Sequence, residues 1–450
     1  MTASTALILA AGQGTRMRSR TSKVLHLCAG RPLLAWALDA CAAVGARPVV
    51  VLAADAVAAR ELIPADGIVA FQDPPRGTGD AVRVALAAAE EAAGEAYVLY
   101  GDTPLLRGET LQRLTEVRRE RGAVIAILTG AVGIDNRYGR IVRDAQGDVL
   151  RIIEARLATA AERVLPESNL GAYAIDLAWL RGAITRLRPN PTGEIFFTDI
   201  VDLAIADQRI VAAHCTPDPT EGLGVNTRAD LAVAEAAMRA RIREGHLAAG
   251  VTFLDPGSTT VDAGVLIAPD VVIERGCVLE GATRVGSDSR IGPYAILRDT
   301  TIGERCRVEG SVLEHAMLED DVRVGPFSHL RPGAYLERGV EMGNFGEVKN
   351  ARLRSGTKMH HFSYVGDAEI GERVNIGAGV ITVNYDGVRK HRTTVGNDAF
   401  IGSDTLLRAP VNIGAGAATG AGAVVTKDVA PGMLAVGMPA RSIKKRAPKA

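Results

Sequence analysis

Two groups of residues in this sequence could do chemistry. The first lies near the N-terminus, where the apolar segment Leu7-Ile8-Leu9 runs into Ala10-Ala11-Gly12-Gln13-Gly14-Thr15-Arg16-Met17 and Lys23 follows. Small residues let a backbone approach a ligand closely, and successive amides can cradle phosphate oxygens. Met17 stands where a dinucleotide fingerprint needs its third glycine, and the Gly-Lys-Ser/Thr of a P-loop is missing. Arg16 and Lys23 supply two cations behind the turn, suited to a triphosphate and its departing pyrophosphate. Asp102 follows the apolar run Tyr97 to Tyr100, at the carboxyl edge where open α/β sheets bind ligands. One carboxylate plus substrate phosphates suits Mg2+, which retains several waters. Taken singly, the turn reads as structural as readily as functional, and the lesser alternative for Asp102 is a turn or capping aspartate.

The second group lies in the C-terminal half. Arg331 and Lys349 are cations among aliphatic and small residues; His360-His361 precedes Tyr364, and Asn375, Ala378, Asn384-Tyr385, Ser403 and Ala421 follow. Histidine suits a general base because its pKa lies near working pH. Adjacent histidines on a strand would point to opposite faces, so at most one enters a given site. A lone histidine is more often structural; the nearby Arg331, Lys349 and Tyr364 favour a functional one.

The elements that must position these groups differ in period. From Val261 an aliphatic residue returns every sixth position through Ile267, Ile273, Leu279, Val285, Ile291 and Leu297. The phase slips, resumes from Val312 through Leu318, Val324, Leu330, Leu336, Met342 and Val348, and returns from Val395 through Ile401, Leu407, Ile413, Thr419 and Val425. Neither a helix nor a simple strand has this period; it is the hexapeptide signature of a parallel β-helix, three hexads to a triangular coil. The segment Val383 to Thr394 interrupts it, which predicts a projecting loop. The N-terminal half instead alternates buried parallel strands (Leu7 to Leu9, Val49 to Leu52, Tyr97 to Tyr100, Val124 to Leu128) with helices (Pro32 to Val44, Gly79 to Ala93, Glu109 to Arg121), as in a doubly wound sheet. Asn226 and Thr227 can cap a helix from about Arg228 to Gly245. The expected division is residues 1–226, a linker helix at 227–250, and residues 251–450.

Composition bounds the function. The chain has 450 residues, 47% hydrophobic and 23% charged, with formal net charge zero. No global field draws it to nucleic acid or to a membrane. The basic tail Lys444, Lys445, Arg446 and Lys449 reads as solvated. Five scattered cysteines (Cys28, Cys41, Cys215, Cys277, Cys306) lack metal-ligand spacing and predict reduced thiols in a cytoplasmic protein. The apolar run Ala6 to Ala11 is too short for a signal peptide, and no window approaches a membrane span.

The segment Leu9-x-x-Gly12-x-Gly14-Thr15-Arg16-Met17 followed by Lys23 resembles the signature of the sugar-nucleotide pyrophosphorylases. Gln72 with Gly77-Thr78-Gly79, Tyr100-Gly101-Asp102, Tyr138-Gly139-Arg140, Glu154, Asn169 with Gly171, and Gly224-Val225-Asn226 follow in that family's order. With the hexapeptide half, the whole chain is similar to the bifunctional N-acetylglucosamine-1-phosphate uridylyltransferase/glucosamine-1-phosphate acetyltransferases. The resemblance implies a Rossmann-like α/β nucleotidyltransferase domain joined by a helix to a left-handed parallel β-helix. It also implies acetyl-CoA-dependent acetylation of glucosamine 1-phosphate, then uridylyl transfer from UTP to N-acetylglucosamine 1-phosphate, for peptidoglycan and lipopolysaccharide precursors. Asp102 and Asn226 would hold Mg2+. Leu9, Ala10, Ala11, Gly12, Gln72, Gly77 and Thr78 would hold the uridine end, with Tyr100 and Gly101 beside Asp102; Gly139, Glu154 and Asn169 would hold the sugar. His361 would be the acetyltransferase base, with Arg331, Lys349, Tyr364, Asn375, Ala378, Asn384, Tyr385, Ser403 and Ala421 around the amino sugar and coenzyme. Three prisms would pack as a homotrimer, the projecting loop reaching a neighbouring subunit's site.

Several positions depart from that family. Asn136-Arg137 replaces a usual Pro-x-Gly, Ala155-Arg156-Leu157 replaces a polar stretch, and Leu170 fills a usually small position; all three are expected around the sugar. Gly437 stands where some members carry an arginine at the coenzyme A site, a role Arg441 would take over. A single-activity sugar-phosphate nucleotidyltransferase with a structural or regulatory β-helix is the alternative, and a non-enzymatic scaffold is disfavoured by the presence of Arg16, Lys23 and Asp102.

Overall fold

A computed structural model describes residues 4–54, 56–133 and 136–445; Arg446 and Lys449 of the basic tail lie outside them. The described chain forms two compact units, Met1–Met238 and Arg239–Ala450.

The first unit is built on a sheet in the order Val211–Cys215, Ile125–Ala131, Glu167–Asp176, Glu95–Tyr100, Ser4–Ala10, Ala46–Leu52, Ile68–Phe71. Ser4–Ala10 pairs in parallel with both its neighbours. Its alternate residues feed two cores: Leu7 and Leu9 pack with Val49, Val51, Val82 and Val98, whereas Ala6, Ile8 and Ala10 pack with Leu34, Leu38, Leu99 and Leu111. The sheet is therefore covered on both faces, which is why its central strands read as continuous apolar runs. The helices run Leu33–Ala43, Thr78–Ala88 and Gly108–Glu120. Off this strand order Arg140–Arg143 pairs antiparallel with both Glu167–Asp176 and Val149–Ile153, and within it one strand departs from the all-parallel expectation. Glu167–Asp176 is antiparallel to both Glu95–Tyr100 and Ile125–Ala131 and separates them, its register shifting between Asn169 and Tyr173.

The second unit is a left-handed parallel β-helix. Its short strands stack into three sheets of twelve, ten and nine strands, the first closed by an antiparallel pair, Met433–Val436 with Arg441–Lys445. Val261, Leu279, Leu297, Leu313, Leu330 and Val348 form one inward ladder in register, coil upon coil. The slip in the hexad is resolved here: Leu313 is fully buried and points inward, whereas Val312 lies on the outer side of the strand. Coils meet closely at the corners. A Cβ on Gly343 would lie 2.2 Å from the His360 carbonyl oxygen of the next coil, so only glycine fits.

The helix Arg228–Ala248 runs from the first unit into the second. Thr227 caps it: its hydroxyl accepts from the Asp230 amide at 3.1 Å, and the Asp230 carboxylate accepts from the Thr227 amide at 2.8 Å. In the second unit Ile242 packs against the β-helix core and Arg239 pairs with Asp262 at 3.0 Å.

All five cysteines are free, and four are buried. Burial pushes the Cys41 thiol up to about 12 and Cys306 to about 11, so these are packing residues and poor nucleophiles. No helix among the described residues is long and apolar enough to cross a membrane.

Candidate functional site

In the first unit, the turn after Ser4–Ala10 bends back so that Arg16 and Lys23 meet residues from far along the chain. Lys23 Nζ forms an ion pair with Asp102 Oδ2 and donates to Asn226 Oδ1 at 3.2 Å; Arg16 donates to the same Asn226 oxygen at 2.9 Å. Because Thr227 supplies the helix cap, the Asn226 side chain is left to face these cations. A Cβ on Gly224 would stand within 4.0 Å of both Asp102 Oδ1 and Asn226 Nδ2, so the two side chains share one small region. A carboxylate and an amide oxygen are the hard donors that Mg2+ takes. Among the described residues no group of three His, Cys, Asp or Glu could hold a metal, so phosphate and water would complete its shell.

A cavity of about 250 Å3 adjoins this cluster, lined by Leu9, Ala11, Gly12, Lys23, Gln72, Pro75, Gly77, Thr78, Ala81, Tyr100 and Asp102. Gln72 is buried and donates to Asp80 and to the Gly77 carbonyl at 2.8 and 3.1 Å. Gly77 has φ +104°, and a Cβ there would meet the Ile195 carbonyl at 2.5 Å. Thr78 accepts from the Phe197 amide at 2.9 Å. Burial, reinforced by Glu154 and Asp102, pushes the Tyr100 phenol well up, so it stays neutral. Ala10 is buried in its strand, and the Gly101 amide donates to the Leu9 carbonyl at 3.0 Å.

A second cavity, about 720 Å3, is lined by Arg16, Asn136, Arg137, Arg140, Glu154, Ala155, Arg156 and Arg163. Glu154 accepts from Thr198 at 2.7 Å. Gly139 and Asn169 line neither cavity. The Asn169 amide donates to the Gly139 carbonyl at 2.8 Å, and its side chain engages Gly171 N and Tyr173 OH at 3.0 and 2.7 Å. Two of the three departures in sequence, Asn136-Arg137 and Ala155-Arg156, line this cavity. The third does not: Leu170 is buried in the core, packed against positions 130 and 222, which are glycine to make room for it. Leu157 is two-thirds exposed.

In the β-helix, His361 lies in the corner after strand Lys358–Met359, and Ala378, Ser403 and Ala421 occupy that corner after the strands Asn375–Ile376, Phe400–Ile401 and Ala418–Thr419 of the same sheet. His360 and His361 are thus turn residues, both exposed, and strand alternation does not separate them. What does is pairing: His360 Nε2 meets Glu341 at 2.8 Å. The next sheet carries Arg331, Lys349 and Tyr364 on successive coils, with Glu347 directly opposite Tyr364 and Lys349 opposite Gly366. Arg331 pairs with Glu347 at 2.8 Å, and Asn384 donates to Tyr364 OH at 3.3 Å and to Asp367 at 2.5 Å. Lys390, absent from the sequence reading, reaches this group. Its ammonium within hydrogen-bonding reach, with Arg331 beyond, holds the Lys349 pKa below its ordinary value. The run Arg389-Lys390-His391-Arg392 was the available signal. A cavity of about 170 Å3 adjoins, lined by Asn350, Asp367, Lys390, His391 and Arg392. The interrupting segment is a hairpin: Tyr385 bridges Lys390, and His391 pairs with Asp386 at 2.6 Å. Arg441 opens the exposed final strand opposite Val436, beside Gly437.

The MobA-like NTP transferase domain family matches residues 6–175. Over 97% of its length the chain is 44% identical to the bifunctional protein GlmU of Trichlorobacter lovleyi, covering 96% of that protein. It is also 44% identical to GlmU of Mycolicibacterium vanbaalenii, over 97% of this chain and 91% of the other. GlmU of Bordetella parapertussis gives 44% over 96% and 95%. The chain belongs to the GlmU family. It is accordingly a bifunctional enzyme, a uridylyltransferase and an acetyltransferase of UDP-N-acetylglucosamine synthesis in one chain, and the single-activity alternative is not favoured.

Proposed function

We propose that each unit carries one reaction, with residues 1–226 holding the uridylyltransferase, 227–250 a linker and 251–450 the acetyltransferase. The observation that carries the first assignment is the meeting of Arg16, Lys23, Asp102 and Asn226 beside a pocket closed by Gln72, Gly77 and Thr78. UTP lies with its uridine end in that pocket and its phosphates against Arg16 and Lys23. A phosphate oxygen of N-acetylglucosamine 1-phosphate bonds to the α-phosphorus, and the bond to pyrophosphate breaks. No protein nucleophile is required; the chain orients both reactants and offsets charge on the leaving group. Asp102 and Asn226 hold Mg2+, which when bound would neutralise phosphate charge. Glu154 faces the sugar, with Gly139 and Asn169 behind it.

In the β-helix, His361 removes a proton from the 2-amine of glucosamine 1-phosphate as the nitrogen bonds to the acetyl carbon and coenzyme A leaves as thiol. Arg331, Lys349 and Tyr364 hold the amino sugar phosphate, while Asn375, Ala378, Ser403, Ala421 and Arg441 line the path of acetyl-CoA. Assembly as a homotrimer completes the site. Supporting it, Tyr294, Phe327, Phe345 and Phe362 are each more than half exposed and repeat at one corner of the prism, Phe327 stacking on Phe345 at 5.4 Å. Such a column costs free energy in water and gains it when covered. Five free cysteines favour a cytoplasmic setting.

Purified protein given glucosamine 1-phosphate, acetyl-CoA, UTP and Mg2+ should release coenzyme A and pyrophosphate and form UDP-N-acetylglucosamine. Absence of either half-reaction would sink the dual assignment.

A further inference from the structure

The segment from Arg16 to Ala29 carries both cations of the phosphate cluster, yet its regular structure amounts to the short turns Thr15–Met17 and Lys23–Leu25 and the two-residue strand Leu27–Cys28. Two of its residues hold a left-handed backbone that side chains disfavour. Arg18 and Ala29 each have φ +49°, and neither is glycine. Such strain persists only where the surroundings over-determine it, and it gathers at functional sites.

The start of the helix Arg228–Ala248 supplies those surroundings. Arg228 Nε donates to the Met17 carbonyl at 3.3 Å, next to Arg18, and its Nη1 donates to His26 Nδ1 at 3.3 Å. Arginine has no acceptor, so His26 must receive this bond through an unprotonated nitrogen. Burial and the Arg228 charge hold the His26 pKa below its ordinary value, which keeps the ring neutral. Two helical turns on, the Glu235 carboxylate accepts from the amide of the buried Ala29 at 2.7 Å. Positions seven apart share one face of a helix, so the two side chains grasp the segment at both ends, beside each of its strained residues. The helix start is fixed in turn. The Asp230 carboxylate accepts from the Asn226 and Thr227 amides at 3.0 and 2.8 Å, and Asn226 receives Arg16 and Lys23. One element thus sets the spacing between Asn226 and both cations.

We propose that Arg228 and Glu235 are positioning residues for uridylyl transfer, holding the segment from Arg16 to Ala29 against the helix so that both cations meet the phosphates at a fixed distance from Asn226. Neither lines a cavity of the site; each acts through Arg16 and Lys23. Long cationic side chains on a strained, irregular segment keep a preorganised geometry only if their backbone is tied down, and charge offset on a leaving group depends on that geometry. The proposal rests on the reading that Arg16 and Lys23 lie at the phosphates of UTP.

The test is steady-state kinetics of the full chain, read as pyrophosphate release, with acetyl transfer and thermal unfolding measured alongside. Arg228→Ala and Glu235→Ala should each lower kcat about ten- to a hundredfold, the scale of a small misplacement of reacting groups. KM for N-acetylglucosamine 1-phosphate should move by less than about twofold, because the interaction lost is one made to the leaving pyrophosphate. Coenzyme A release should be unchanged. Conservative variants should recover part of the loss: Arg228→Lys can still donate to the Met17 carbonyl, and Glu235→Gln can still accept from the Ala29 amide. In an Arg16→Ala background the Arg228→Ala factor should shrink by about threefold or more, since less is left to position. An unchanged kcat in either alanine variant, an undiminished factor in the Arg16→Ala background, or a loss that neither conservative variant relieves overturns the proposal. So does a fall in both activities that tracks a lowered melting temperature, which would make the pair merely structural. Wild-type protein that releases no pyrophosphate would instead strike the underlying uridylyltransferase reading.

Discussion

The two units gather polar residues in opposite ways. In the first, Arg16 and Lys23, Asp102, and Asn226 come from three distant segments and converge on shared oxygens beside a pocket lined in part by the half-buried Tyr100. In the second, Arg331, Lys349 and Tyr364 stand one coil above another on the outside of a prism, with a cavity of about 170 Å3 nearby. The reason is architectural. An open α/β sheet ends in loops that fold over its carboxyl edge and make a concavity. A β-helix has its interior filled by aliphatic ladders, so polar residues are confined to its flanks. A site on a flank needs another surface to exclude water, whereas the first unit closes its own.

The largest expected effect lies on the flank. His361→Ala should lower acetyl transfer by about 10²- to 10⁴-fold, the usual contribution of a general base, without changing uridylyl transfer or thermal unfolding. Normal coenzyme A release by that variant would refute the assignment. Asp102→Ala should do the converse, cutting uridylyl transfer by roughly 10²- to 10³-fold, as expected for one preorganised electrostatic group. If both activities fall together with the melting temperature, the residue is structural.

A third experiment strikes at the difference itself. Phe327→Ser with Phe345→Ser removes two exposed rings from the corner column. Acetyl transfer should become dependent on protein concentration and fall roughly tenfold on dilution as subunits separate, while uridylyl transfer stays constant. Sedimentation at matching concentrations checks the cause. Acetyl transfer indifferent to dilution, in a protein that sediments as a monomer, would show that the flank needs no neighbour.

The repeat was legible because a solenoid core is one-dimensional: a residue facing inward in one coil does so in the next, and the six-residue period survives in sequence. Its phase was less legible. A coil that contracts between Leu297 and Leu313 puts Leu313 inward where strict spacing chose Val312. The same uncertainty placed His360 and His361 on a strand, although they turn a corner, since a hexad does not mark where its strand ends. In the first unit the antiparallel strand Glu167–Asp176 was hidden because burial on both faces yields the same apolar run in either direction. Leu170 looked like a substitution around the sugar, but Gly130 and Gly222 accommodate it in the core, a compensation visible only in three dimensions. Lys390 was missed because a basic run in a loop ordinarily reads as solvated.

The smallest expected effect separates the units by titration. Beside Glu154, burial with Asp202 and Glu154 nearby raises Asp199 to about 6. In the β-helix the trend reverses, for Arg305 and Arg338 hold Asp321 below the ordinary carboxylate value. For Asp199 the folded pKa exceeds the unfolded one. Below about pH 4 the carboxyl is protonated in both states and costs nothing; between there and pH 6 the folded state keeps a proton that the unfolded chain releases. Stability of the first unit therefore declines as pH rises through that window, and the cost is complete above it. For Asp321 the contribution is present above the unfolded value and is lost as pH falls through the folded one. Asp199→Asn should raise the first unit's melting temperature at pH 8 by about 2 to 4 °C, near 1 kcal/mol once the group's partial exposure is discounted. At pH 3.5 it should change nothing, and the β-helix transition should be unmoved at either pH. An equal rise at both values would mean that the substitution acts through packing and not through the carboxylate's charge.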